Sequence, residues 1–135
     1  MTQPRDFEAT IRKLGEREPH YASAAYHFML EALEHTMRWL GRDQAEGTER
    51  HVRGRELLEG IRRYSIETFG PMATLVFETW GIRRTEDFGR IVFNLVDEGL
   101  LSRQDSDTLE DFADGFKFAD AFESGYKIEL REPRA

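Results

Sequence analysis

The stretch FGPMATLVFETWGIRRTEDFGRIVFNLVDEGLL, residues 69–101, decides the fold. It carries two helical patterns, a tight joint between them, and the densest run of large apolar residues in the chain. Gly70-Pro71 predicts a helix start, because proline suits a first helical position where its missing N–H is not needed. Met72, Leu75, Val76, Thr79 and Trp80 then recur at the three-and-four spacing of a buried helical face. Gly81 is the expected stop, since glycine takes the left-handed C′ conformation without Cβ strain. Thr85 is the expected hydroxyl cap of the next helix, with Glu86 and Asp87 complementing its positive end.

On a helical wheel for residues 85–98, Phe88, Ile91, Val92, Leu95 and Val96 cover one broad side. Glu86, Arg90, Asn94 and Asp97 form a narrow polar strip, and Phe93 falls beside it next to Gly89. A helix apolar over most of its circumference belongs in an interior or against a second partner. Gly89 costs roughly 1 kcal/mol of helix propensity relative to alanine, which close approach of another backbone would explain. The plain reading is a central core helix. The sharper one is a docking surface that Gly89 and Phe93 help to form.

Upstream, Phe7, Ile11 and Leu14 predict a short amphipathic helix over about 5–17, and Pro19 separates it from a long helix over about 20–40. The long helix has an unusually wide apolar arc, including Tyr21, Tyr26, Phe28, Met29, Leu33 and Met37, so it should pack against more than one neighbour. Its polar arc holds His27, Glu31 and His35 at successive i, i+4 spacings, a row that can hold a metal, with His51 a donor from elsewhere. Such residues on a polar helical face are ordinarily solvated, with Glu34–Arg38 an i, i+4 ion pair, and a site also needs an enclosing second shell. No metal or cofactor is therefore expected. GRDQAEGT (41–48) reads as a loop. Residues 55–69 read as a helix with Leu57, Leu58, Ile61, Tyr64 and Ser65 on one side and Gly60 near the polar side.

Downstream, a polar link at 102–106 has Asp105 as a candidate cap. Leu109, Phe112, Ala113 and Phe116 keep helical spacing to about 115. Phe112, Phe116, Phe118 and Phe122 are too many aromatics for a disordered tail, so they must cover the central helices or a partner. YKIELR (126–131) alternates as a strand does, and RHVR (50–53) is its candidate partner. The expected fold is mainly α: a compact multi-helix single domain over 1–135, with 50–53 and 126–131 as candidates for a minor two-stranded β element. Residues 1–4 and 132–135 are expected to fray.

A chain of 135 residues with 39% apolar and 33% charged residues can bury a real core without staples. The absence of cysteine excludes disulfides, thiolate metal sites and cysteine nucleophiles. No apolar run approaches the ~20 residues that span a bilayer, and the first ten residues lack the apolar core of a signal peptide. A cytoplasmic protein without membrane contact is expected. The net charge of −7 is uneven: residues 49–103 are neutral and rich in arginine, whereas 104–135 carry −5.

The segments YASAAYHFMLEAL (21–33), HVRGRELLEGIRRY (51–64), FGPMA (69–73), WGI (80–82), TEDFGRIVFNLVDEGLLS (85–102) and DFADGFKFADAF (111–122) cover most of the chain. As a set they resemble a family of small uncharacterised bacterial proteins. His51, Gly54, Glu56, Trp80, Asp87, Gly89 and Asn94 fall within these segments. The resemblance implies no activity, and so no role for these residues.

Three functions compete. Ten Phe, four Tyr and two Trp exceed the need of one small core. That surplus favours a non-enzymatic domain for protein–protein interaction or self-association, with Gly89, Phe93, Phe116, Phe118 and Phe122 as candidate contacts. The alternative is a winged-helix-like DNA-binding protein in which helix 85–98 reads the groove and Arg83, Arg84 and Arg90 supply the cations. A pI near 5.1 speaks against a nucleic-acid partner. The third is a small metal protein or enzyme built on His27, Glu31, His35 and His51, although no phosphate-binding loop, nucleophile elbow or HExxH motif is present.

Overall fold

A computed structural model of the chain describes residues 4–44, 51–101 and 109–124. Five helices follow in order: α1 (Pro4–Arg17), α2 (Ser23–Trp39), α3 (Gly54–Phe69), α4 (Ala73–Thr79) and α5 (Thr85–Asp97). A 3-10 turn over Gly70–Met72 carries Pro71 into α4. A second 3-10 turn, Leu109–Phe112, and a wide π-type turn, Ala119–Ser124, follow α5. The mainly helical expectation therefore holds, with each helix close to its predicted span. Among the described residues there is no strand: 51–53 run extended without a ladder. Residues 126–131, the other half of the expected β element, lie outside the described residues, as do Asp105 and the ends 1–3 and 132–135.

α2 is the spine, packing on α1, α3 and α5 as its wide apolar arc requires. Tyr26, Met29, Ala25 and Ala32 are fully buried along it. It meets α3 at Gly60, where an added Cβ would lie 1.7 Å from Thr36 Oγ1. Gly60 is thus buried at a helix crossing, and the expectation that it lies near the polar side is corrected. Thr36 is itself buried and donates its hydroxyl to the Ala32 carbonyl, which leaves it little room to move.

The core centres on Phe77 of α4. Its ring lies 5.3–6.0 Å from those of Phe28, Phe69, Trp80, Phe88, Phe118 and Phe122. Aromatic rings favour such edge-on and tilted packing because their faces are negative and their edges positive. Ile91 and Leu95 of α5 are fully buried and Trp80 is half-buried, so residues 69–101 do form the central helical pair. The face of α4 is a correction. Ala73 and Phe77 point inward, whereas Met72 and Leu75 are 53% and 55% exposed and Thr79 is exposed. A seven-residue helix presents two apolar stripes, and the aromatic cluster selects the one bearing Phe77. Gly81 ends α4 at φ +89°, with the His20 carbonyl oxygen 2.1 Å from where a Cβ would stand.

Candidate functional site

Among the described residues, a buried and fully hydrogen-bonded polar group stands where α5 begins. Arg84 is the residue before the helix, and an arginine has no acceptor with which to cap. Asp87, at the third helical position, does so instead: its Oδ2 accepts the backbone N–H of Arg83 at 2.8 Å and of Arg84 at 3.2 Å. Its Oδ1 accepts the Tyr21 hydroxyl at 2.6 Å. Asp87 is 6% exposed and Tyr21 3% exposed, so an otherwise costly buried carboxylate is satisfied by three donors and a helix N-terminus. Burial, and then the bond to Asp87, hold the Tyr21 phenol well above its ordinary range, while the Arg90 guanidinium pulls the other way. Tyr26 is also pushed up by burial, and its oxygen accepts a bond from Asn94 Nδ2 at 3.0 Å.

Thr85, the expected hydroxyl cap, does not cap α5. Its hydroxyl faces outward from the helix axis and accepts the N–H of Gly115 at 3.0 Å, which fastens the segment after the Leu109–Phe112 turn to α5. Glu56 does for α3 what Asp87 does for α5: it accepts the Arg53 N–H at 3.0 Å and grips Arg42 through both carboxylate oxygens, at 2.7 and 2.9 Å. That grip holds the Glu56 carboxyl below its ordinary range.

Two clefts open beside the first turns of α5. One, of about 300 Å³, is lined by Glu18, His20, Tyr21, Arg90, Phe93, Asn94 and Leu109. Two of its polar groups, Tyr21 and Asn94, serve the Tyr21–Asp87 and Tyr26–Asn94 bonds, which tie the start of α2 and the residues just before it to α5. The other, of about 370 Å³, lies between Arg83–Glu86 and the segment Asp114–Phe118. Arg83, Arg84 and Lys117 are exposed at it, Phe116 is half-buried, and Phe118 is buried.

The residues singled out in the sequence fall in different places. Gly89 is buried against the Phe112 side chain, which stands 3.0 Å from a notional Cβ. A side chain of the same chain, not another backbone, explains that glycine. Phe118 and Phe122 lie in the core at 7% and 0% exposure. Phe93 and Phe116, half-buried, line one cleft each. Arg83 and Arg84 share their cleft with Phe116 and Phe118, whereas Arg90 belongs to the other. The metal candidates do not converge: among the described residues no three His, Asp or Glu side chains gather as ligands. His35 instead rests on the Tyr64 ring at 4.9 Å, with Glu67 3.8 Å away, and Glu34 pairs with Arg38 as expected. The His51 carbonyl accepts from Arg42. The Tyr21–Asp87 pair, 66 residues apart, had no sequence signal beyond an acidic residue in a helix's first turn.

No helix among the described residues is long and apolar enough to cross a membrane. Compared with family models, curated proteins and solved structures, the chain matches none of them.

Proposed function

We propose that the protein is a non-enzymatic association domain that docks a second copy or a partner protein. One observation carries this reading: the apolar stripe on the outside of α4. Met72 and Leu75 are more than half exposed, Pro71 is exposed beside them, and Val76 is half-buried on the same face. The other face of α4 already supplies the core through Ala73 and Phe77, so Met72 and Leu75 lie outside the buried core. Exposed apolar groups clustered on one short element mark interaction surfaces more often than single scattered ones do.

The test compares wild type with Leu75→Glu by light scattering at micromolar concentration and by affinity purification from the native host. Wild type should form a defined oligomer or retain a specific protein, and the variant should lose either. A monomeric wild type that recovers nothing the variant does not recover would end this reading.

The DNA-reading alternative has less support. α5 exposes only Arg90 and Asp97 fully, of opposite charge and two turns apart. Its Gly89 side is covered by Phe112, and its Ile91 and Leu95 side is core. A groove-reading helix needs a continuous polar face.

A further inference from the structure

We propose that the cleft lined by Arg83, Arg84, Lys117 and Phe116 binds an acidic peptide segment of a partner protein, seating one apolar side chain between the cations. This goes beyond the association reading and uses different residues. The first ground is charge. The chain carries 26 acidic against 19 basic residues, yet three cations meet at this cleft against the two carboxylates of Glu86 and Asp114.

The second ground is pairing. Arg17, Arg38, Arg42, Arg62 and Arg63 each hold a carboxylate of this chain. Arg83, Arg84 and Lys117 hold none among the described residues. Of the two carboxylates that follow the arginines, Glu86 lines the cleft without an ion pair to either among the described residues, and Asp87 is turned inward and taken up by Tyr21 and by backbone N–H groups. Guanidinium groups left exposed and unmatched suit bidentate contact with an incoming carboxylate.

The third ground is shape. A cleft of about 370 Å³ with a half-buried phenyl ring accommodates a leucine- or phenylalanine-sized side chain. Glu86 and Asp114 in the walls oppose a continuous phosphate backbone, which would have to lie against both. A peptide can place its carboxylates singly against the cations and avoid them. A partner acidic peptide is therefore favoured over nucleic acid.

The experiment uses the full chain and a fluorescein-labelled peptide of alternating glutamate and leucine, read by fluorescence anisotropy. Binding should weaken at least tenfold as salt rises from about 50 mM to about 500 mM. The triple variant Arg83→Ala, Arg84→Ala, Lys117→Ala should lose at least tenfold in affinity with an unchanged circular dichroism spectrum, since these exposed side chains hold no ion pair among the described residues. Phe116→Ala should weaken the glutamate–leucine peptide but leave a poly-glutamate peptide unaffected. Absence of binding at low salt would overturn the proposal. So would equal binding by the triple variant, or tighter binding of a single-stranded oligonucleotide of matched charge. A Leu75→Glu variant that associates just as wild type does would end the α4 reading alone and leave this outcome unchanged.

Discussion

Replacing Phe77 by alanine removes the ring on which six others converge, and replacing Leu75, two residues earlier on the same helix, removes a side chain that is 55% exposed. The pair tests which face of α4 is buried. Phenylalanine-to-alanine changes in cores cost about 3–5 kcal/mol, combining the lost transfer free energy with the cavity left behind. Phe77 is fully buried, and aromatic pairs contribute roughly 0.5–1.5 kcal/mol beyond buried area, so its loss belongs near the upper end of that range. The pair terms do not simply add, because the neighbouring rings relax together. Leu75→Ala removes apolar surface that water already reaches, and should change stability by less than about 0.5 kcal/mol. Urea titration followed by far-ultraviolet circular dichroism separates the two. With a slope of about 2 kcal/mol/M, Phe77→Ala should lower the midpoint by about 2 M and Leu75→Ala by about 0.2 M or less. Equal shifts, or a shift below about 0.5 M for Phe77→Ala, would mean that α4 presents its other face to the interior.

Other changes probe the joints. Gly60→Ala should destabilise despite a gain of roughly 1 kcal/mol in helix propensity, because the new methyl would overlap Thr36 where α2 crosses α3; a higher melting temperature would show that the helices can part. At high pH the unfolded chain releases the Tyr21 proton near about 10, while the folded chain retains it. Stability is therefore intact below about pH 10 and falls as pH rises toward the folded value, and Tyr21→Phe should flatten that fall. In the same variant, absorbance titration of the phenols should lose one late-titrating group and keep the other, Tyr26. The acid side has the opposite sign: the Glu56 carboxyl, held low by Arg42, stabilises above its unfolded value of about 4.3, and that contribution disappears as pH falls through the folded value. Glu56→Gln should lower stability at pH 7 and weaken its dependence on pH between about 5 and 3; an unaltered acid limb would show that Arg42 does not hold the carboxylate in solution.

The helices were legible because their signals are local. Ile11 and Leu14, the wide arc of α2, Leu57 with Ile61, and Phe88 with Ile91 and Leu95 all repeat at helical spacing, and all are buried except on α2, where Leu33 is half-buried and Trp39 is exposed. What spacing could not supply was a choice between equivalent surfaces. Met72–Leu75–Val76 and Ala73–Phe77–Trp80 are both apolar stripes on one short helix, and only the convergence of rings from four other segments selects the second. Gly60 shows a related limit, because a glycine carries no polarity that tells a helix crossing from a solvent face. The polar ties were less legible still. Nothing in a linear pattern links Tyr21 to Asp87 or Thr85 to Gly115, since each bond closes a long loop. The aromatic surplus pointed to an interface, but Phe118 and Phe122 turned out to fill the core, leaving Phe93 and Phe116 as the half-buried residues beside the clefts.

Asp87 and Glu56 show how the same local device can leave different surfaces behind. Each is the third residue of its helix, and each accepts the N–H of the arginine that precedes the helix. Glu56 is partly open to solvent, so it also neutralises Arg42 and leaves its neighbourhood balanced. Asp87 sits deeper, and its charge goes into the interior, shared between Tyr21 and two backbone donors. Those bonds fix where α5 starts and how it meets α2. They also turn Asp87 away from the Arg83 and Arg84 side chains, and so the cleft beside Phe116 keeps three exposed cations against the two carboxylates of Glu86 and Asp114, a balance that follows from how this helix is capped.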